Sequence, residues 1–201
     1  MSKFINDSSG FIGLLFSNLG LFIASGVLLL AVCSLVAYSD WQRTEELRAI
    51  ARDISSRIQD LDTTFFEHSV LYQCPEKKYD YTITASAEYL TVSARGSLGA
   101  TISVKERFVV RPWPRNETVN WTTGSQLHYY LNKTYCHGGT QQDPLTSSNL
   151  TELEQDRQAT VVFLALHPLE IRSDLSLTIE KVAIFDDSGE NHSFILLYQI
   201  L

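Results

Sequence analysis

FIGLLFSNLGLFIASGVLLLAVCSLVAY, Phe11 to Tyr38, decides the architecture, because no charged residue lies between Asp7 and Asp40. As one α-helix this stretch is about 42 Å long at roughly 1.5 Å per residue, against a bilayer hydrocarbon core about 30 Å thick. It is long enough to span with some tilt or overhang. A cleaved secretory signal would have a positive n-region, an apolar stretch of about 7–15 residues and a small-x-small cleavage site. This run is longer and only Lys3 precedes it, so a retained anchor is expected. Gly20 and Gly26 do not make a GxxxG pair. Cys33 sits inside the run as a small apolar filler, and Tyr38 and Trp41 suit an interfacial aromatic anchor.

Nothing forces the helix to stop at Tyr38, since neither Pro nor Gly occurs from Val27 to Gln73. Leu47, Ile50, Ile54, Ile58, Leu61 and Phe65 recur at spacings of three and four, which puts them on one stripe. Arg43, Glu46, Arg52, Asp53, Arg57 and Asp60 lie largely off it. One helix of about 50 residues is expected, apolar all round in its first half and amphipathic in its second. The stripe packs either on the domain that follows or on other copies of the chain.

Beyond Pro75 the pattern shifts to strands. Tyr79–Thr84 alternates, and Glu88–Ala94 and Ala100–Val110 follow across the turn Arg95-Gly96-Ser97-Leu98-Gly99, which reads as a three-stranded meander. Residues 111–150 break this regularity, carry Trp113 and Trp121, and include a short helical pattern over Ser125–Tyr135. The two tryptophans read as local core or as a binding platform. Ala159–Leu166 is a continuous apolar run, expected as a strand buried on both faces, with a short helix as the alternative. Leu175–Phe185 and Phe194–Leu201 complete the strands, the former with its alternation slipping near Lys181.

The fold class expected is α+β. Residues 1–10 form a short cytoplasmic or leader segment, 11–38 a transmembrane helix and 39–66 its amphipathic continuation. Residues 67–201 form an extracytoplasmic β-rich head, a sandwich or a curled antiparallel sheet, with the irregular excursion 111–150.

Asparagine usage points to the compartment. Of seven asparagines, only Asn18 lies outside an Asn-x-Ser/Thr triplet. Asn6 precedes the apolar run; Asn116, Asn120, Asn132, Asn149 and Asn191 follow it and are the candidate glycan acceptors. Glycan is added outside the cytoplasm, so the long part is expected outside. Arg43, Arg48 and Arg52 against Lys3 favour the reverse by the positive-inside rule; the sequons outweigh that count. In such a compartment a disulfide between Cys74 and Cys136 is allowed, with two unpaired thiols as the alternative. Net charge is −7, which argues against a nucleic-acid partner.

No catalytic constellation stands out: GxSxG, HExxH, Walker and GxGxxG patterns are absent. His68, His128, His137, His167 and His192 are scattered, and Cys136-His137 lacks the spaced partners of a zinc site. Asp186, Asp187 and Glu190 read as an acidic turn rather than a calcium loop. No catalytic, cofactor or metal residue is assigned.

The stub MSKFINDSSG, the helix Phe11–Phe65 and the β-rich remainder with its sequons together resemble archaeal type IV pilin-like and archaellum-associated surface proteins. That resemblance covers the layout of the whole chain. It implies leader cleavage between Gly10 and Phe11, although Ser9 stands where the family pattern has a charge. The acidic residue found early in bacterial pilin helices has no counterpart here. The function expected is a non-enzymatic, single-pass envelope protein, pilin-like in structure or interaction. Its partners would be the membrane and other envelope or pilin-like proteins, itself included. The alternative is an anchored receptor that holds a ligand with the 111–150 excursion.

Overall fold

The computed structural model of the chain describes residues 8–116 and 119–200. Its first element is the helix α1 (Ser8–Asp62), and the chain divides into two compact units after Arg43.

In the first unit the helix buries almost nothing. From Leu15 to Tyr38 its large apolar side chains are exposed on every side, from 50% at Val32 to 77% at Phe22, apart from the half-buried Val36. Its hydroxyls are satisfied internally: Ser25 and Ser34 donate to the carbonyls of Leu21 and Leu30, both at 2.8 Å. It is long and apolar enough to cross a membrane.

The second unit, Thr44–Leu201, is α+β with a β-rich body. One four-stranded sheet has the order β1-β7-β8-β5, built from β1 (His68–Tyr72), β5 (Trp113–Pro114), β7 (Leu177–Phe185) and β8 (Asn191–Gln199). The other has the order β4-β3-β2-β6, from β2 (Tyr81–Ala85), β3 (Tyr89–Arg95), β4 (Thr101–Arg107) and β6 (Leu169–Ile171). Strands β2, β3 and β4 form the expected antiparallel meander, with Val92 opposite both Ile83 and Val104.

The stripe on α1 is core. Leu47, Ile50, Ala51, Ile54, Ile58 and Leu61 share one buried cluster with Ile83, Leu90 and Val92 of the meander and with Leu177, Ile179, Ile195 and Leu197 of the other sheet. Helix and both sheets thus close on a common interior. A second cluster uses the opposite face of the β7–β8 pair: Val182, Ile184, Phe194, Leu196 and Tyr198 pack with α2 (Gly124–Tyr135) and α3 (Ser147–Leu166). Residues of β8 alternate between the clusters one by one, as the two-residue strand period requires.

That two-sided burial explains Lys181. Along β7 the apolar side chains shift from Leu177 and Ile179 on the α1 side to Val182 and Ile184 on the other. Lys181 continues the α1 side but carries an ammonium, 6% exposed, whose Nζ donates to the carbonyls of Asp62 (2.5 Å) and Thr64 (2.6 Å). The strand keeps its register and only the polarity changes. Unpaired carbonyls at a helix C-terminus require partners, and a cation there also suits the helix dipole.

Three expectations need correction. α1 ends at Asp62, so Phe65 is not on the stripe and is 95% exposed. The hydroxyls of Thr63 and Thr64 donate to the carbonyls of Asp60 and Leu61, both at 2.7 Å, and compete with continuation of the helix. Residues 159–166 are not a strand but the last turns of α3, which opens at Thr146, whose hydroxyl accepts from the Asn149 N–H. Leu153, Thr160 and Leu164 are its buried positions, a helical spacing, while Val162 and Leu166 face outward. Cys74 and Cys136 are both free thiols, so the expected bridge is not formed. Cys74 packs beside the first cluster, and burial raises its thiol pKa; Cys136 is the exposed left-handed cap of α2 at φ 59°.

Lys181→Met should therefore cost about 1–3 kcal/mol, the penalty for leaving buried carbonyls without a donor. Urea unfolding of the detergent-solubilised full chain, followed by near-UV circular dichroism, measures it. An unchanged midpoint would mean the ammonium is not holding the end of α1.

Candidate functional site

The described residues of the excursion at 111–150 pack against the face of the β7–β8 pair that carries Val182, Ile184, Phe194, Leu196 and Tyr198. Trp113 enters as part of β5, which pairs in parallel with β8 at Leu196. Its ring meets Trp121 edge-on, with centroids 4.8 Å apart at 83°, and Phe194 at 5.9 Å. Each tryptophan is 3% exposed, so both are local core. They also wall a cavity of about 470 Å³. Tyr130 of α2 and Leu153, Asp156, Thr160 and Phe163 of α3 form much of the remainder, with Asn120 among the lining residues.

Local chemistry fixes each wall. α2 starts at Thr123, whose hydroxyl accepts from the Gln126 N–H, while the Gln126 side chain accepts from the Thr122 N–H at 2.7 Å. The Gly124 N–H donates to Glu180 at 2.8 Å, and the same carboxylate oxygen accepts from Tyr198 at 2.7 Å. A side chain at Gly124 would lie 2.6 Å from Val182 and 2.7 Å from Glu180, so glycine is what lets α2 sit on β7. Burial and the Glu180 hydrogen bond together push the Tyr198 pKa up. Leu127 and Leu131 point into the second cluster, with Tyr130 and Tyr135 partly buried against it, as the spacing in the sequence indicated.

Trp113 Nε1 is buried without a hydrogen-bond partner. Thr160 donates to the Asp156 carbonyl at 3.0 Å, which leaves its oxygen lone pairs available. Among the described residues, Asp156 is the single carboxylate in this wall, and no histidine or cysteine joins it. Among the described residues the wall brings together no paired acid and base.

The remaining polar groups close turns. His137 Nδ1 lies 2.8 Å from Asp143, whose other oxygen accepts from the Gly138 N–H at 2.6 Å; these bonds hold the Asp143 carboxyl below its usual range. At the β7–β8 turn Asp186 accepts from the Ser188 N–H (3.0 Å), the Ser188 hydroxyl (2.6 Å) and the Glu190 N–H (2.9 Å), and its second oxygen lies 3.1 Å from His192. Asp186, Glu190 and His192 bring ligand-type atoms within 4.8 Å of one another, but both Asp186 oxygens are already committed to the turn. The Ser188 hydroxyl first, and then His192, lower the Asp186 pKa to about 2.

Asn120, Asn132 and Asn191 are exposed, and Asn149 is half-buried in the first turn of α3. Asn116 differs: its carboxamide nitrogen, the atom a glycan would join, is buried. All five lie in or beside the α2–α3 layer and the β7–β8 turn, and none is in β2, β3 or β4. Asn6 lies outside the described residues. The Gly10–Phe11 bond is within the backbone of α1.

No known protein family, characterised protein or solved structure matches this chain. Sequence reasoning named Trp113 and Trp121 but missed Asp156, Thr160 and Phe163. The signal was present: 153, 156, 160 and 163 fall at spacings of three and four, legible once 147–166 is read as helix.

Asp186 has a testable pH signature. Its folded pKa, about 2, lies below the ordinary 3.8, so its stabilisation is present above about pH 4 and is lost as pH falls toward 2. Asp186→Asn should lower the melting temperature at neutral pH and flatten the loss of stability between pH 4 and 2. Circular-dichroism melts across that range compare the two proteins; equal slopes would remove Asp186 as the cause.

Proposed function

We propose that this chain is a non-enzymatic, single-pass membrane protein of the cell envelope, anchored by α1, with Thr44–Leu201 as an extracytoplasmic head that works through contacts with other molecules. The observation that carries this reading is the helix surface from Leu15 to Tyr38, apolar on every side and left almost wholly uncovered by the described residues. Such a surface is stable in lipid or against equally apolar segments, not in water. Four sequons with exposed or half-exposed asparagines support the outside location of the head. Within this reading a pilin-like structural component is favoured by the layout of anchor, amphipathic helix and β-rich head.

A second reading, an anchored receptor, is favoured by a specific observation. The α1 stripe from Leu47 to Leu61 is consumed by the head's own core, and a cavity adjoins Trp113 and Trp121. Little apolar surface remains on that part of α1 to form a seam with another copy: Ala49 is exposed, but Glu46, Arg52, Asp53, Gln59 and Asp60 occupy most of its exposed side.

Membrane fractionation and surface proteolysis test the proposal together. The protein should stay in the pellet through alkaline carbonate extraction, and protease added to intact cells should remove the head. Release by carbonate, or a head digested only after lysis, would contradict it.

A further inference from the structure

We infer that the cleft between α3 and the face of the meander turned away from the α1 cluster is a site for a small carboxylate with a short apolar body. Its volume is about 270 Å³, a little under the roughly 300–1,000 Å³ of sites for drug-sized ligands, so its occupant is small. The groups that matter can all be reached. Tyr89, Lys105, Ala165 and Pro168 are exposed, and Thr84, Thr91 and Val161 are half-buried.

One wall is polar. Thr84 of β2 stands opposite Thr91 of β3, and Thr91 stands opposite Lys105 of β4, so two hydroxyls and an ammonium form one row across three strands. In the next row Thr82 and Ser93 bond each other at 2.9 Å. Among the described residues, the Thr84 and Thr91 hydroxyls have no hydrogen-bond partner and the Lys105 ammonium has no carboxylate. Lys105 Nζ instead lies over the Tyr89 ring, 5.1 Å from its centroid, which keeps the charge at the cleft. Two acids are near. Glu88 lines the cleft, but its carboxylate accepts from Arg111 at 2.9 Å. Glu170 of β6 stands opposite Thr84, at the other end of the row from Lys105. An anion therefore belongs at the Lys105 end. The facing wall is apolar: Val161 and Ala165 of α3, with Pro168 just beyond the helix.

The two walls select among ligand classes. An amine would meet the Lys105 charge. A neutral molecule would forgo the charge-assisted hydrogen bond, roughly twice as strong as a neutral one. A phosphate would use the polar row but set a hydrated anion against Val161, Ala165 and Pro168, which offer it no partner. A monocarboxylate accepts from the ammonium and from a threonine hydroxyl, and lays its hydrocarbon against α3. It is the class that uses both walls. Lys105 also discourages further strands from pairing with the edge strand β4. That role needs neither the threonines nor the α3 wall, so the two roles separate on measurement. The chemistry of the cleft is the same on either side of a membrane, so failure of the site leaves the anchored-head proposal standing.

The test titrates the full-length protein in nonionic detergent with sodium acetate, butyrate and isovalerate. Butyramide, butylamine and inorganic phosphate are the comparators. Calorimetry reports binding of each, and saturation-transfer NMR reports the organic ligands. We expect butyrate or isovalerate to bind saturably, and more tightly than acetate or any comparator. Lys105→Met should weaken that binding by about tenfold or more, while Lys105→Arg, which keeps the charge, should retain most of it. Thr84→Val and Thr91→Val together should weaken it by about threefold to tenfold. Val161→Ser should weaken butyrate and leave acetate unchanged. Absence of saturable binding by both longer carboxylates overturns the site. So does butyramide or phosphate binding as tightly as butyrate, or full affinity in Lys105→Met or Val161→Ser; Lys105 then serves only to protect an edge strand.

Discussion

Leu47, Ile50, Ala51, Ile54, Ile58 and Leu61 leave water together, and both sheets close over these same side chains. Burying one Leu or Ile is worth roughly 1.5–3 kcal/mol, so the five large ones contribute on the order of 10 kcal/mol. A folded domain retains only about 5–15 kcal/mol in net stability. The β-rich unit thus cannot dispense with this half of α1, and the helix is the middle of the fold, not an appendage to it. The other half makes the opposite demand: its exposed leucines, valines and phenylalanines must find an apolar medium.

Neighbouring residues on β7 secure both helices that flank the sheet. Glu180 and Lys181 point to opposite faces because strand side chains alternate. Lys181 reaches the carbonyl end of α1, and Glu180 reaches the N–H end of α2. Each charge meets the helix terminus whose dipole it complements, a cation at a C-terminus and a carboxylate at an N-terminus. Gly124 completes the second contact, since a β-carbon there would strike Val182. The cavity wall from α2 is positioned by this arrangement, and α3 adds Asp156, Thr160 and Phe163 from the other side.

How far the sequence could be read depended on how many faces each element buries. The meander was legible because one face of β2 and β3 is core and the other is not, so Ile83, Leu90, Val92 and Ala94 alternate cleanly with polar residues. β7 was legible as a strand but not in its detail, since burial on both faces hides the period and makes Lys181 look like a slip. The run 159–166 misled because continuous apolar sequence does not separate a doubly buried strand from an amphipathic helix. Its polar first half, from Thr146, held the deciding signal in the N-cap. The cavity was half legible: its tryptophans stood out by composition, whereas its α3 wall followed from a helix read as something else. β1, β5 and β6 are short, and β5 pairs through only two residues, too few for any periodicity.

The account turns on α1 having two environments along one helix, and a nitroxide accessibility scan along 15–61 addresses that most directly. Single labels would be introduced in a background lacking Cys33, Cys74 and Cys136, with the protein reconstituted in lipid bilayers. Labels from 15 to 38 should be accessible to membrane-dissolved oxygen without helical periodicity. Labels from 44 to 61 should alternate with a period of about 3.6 residues, silent at Leu47, Ile50, Ala51, Ile54, Ile58 and Leu61 and water-exposed at Arg52, Asp53, Gln59 and Asp60. A 3.6-residue period running unbroken through 15–38, with water access on one side, would contradict the account, because it would mean that half of the helix also packs against protein.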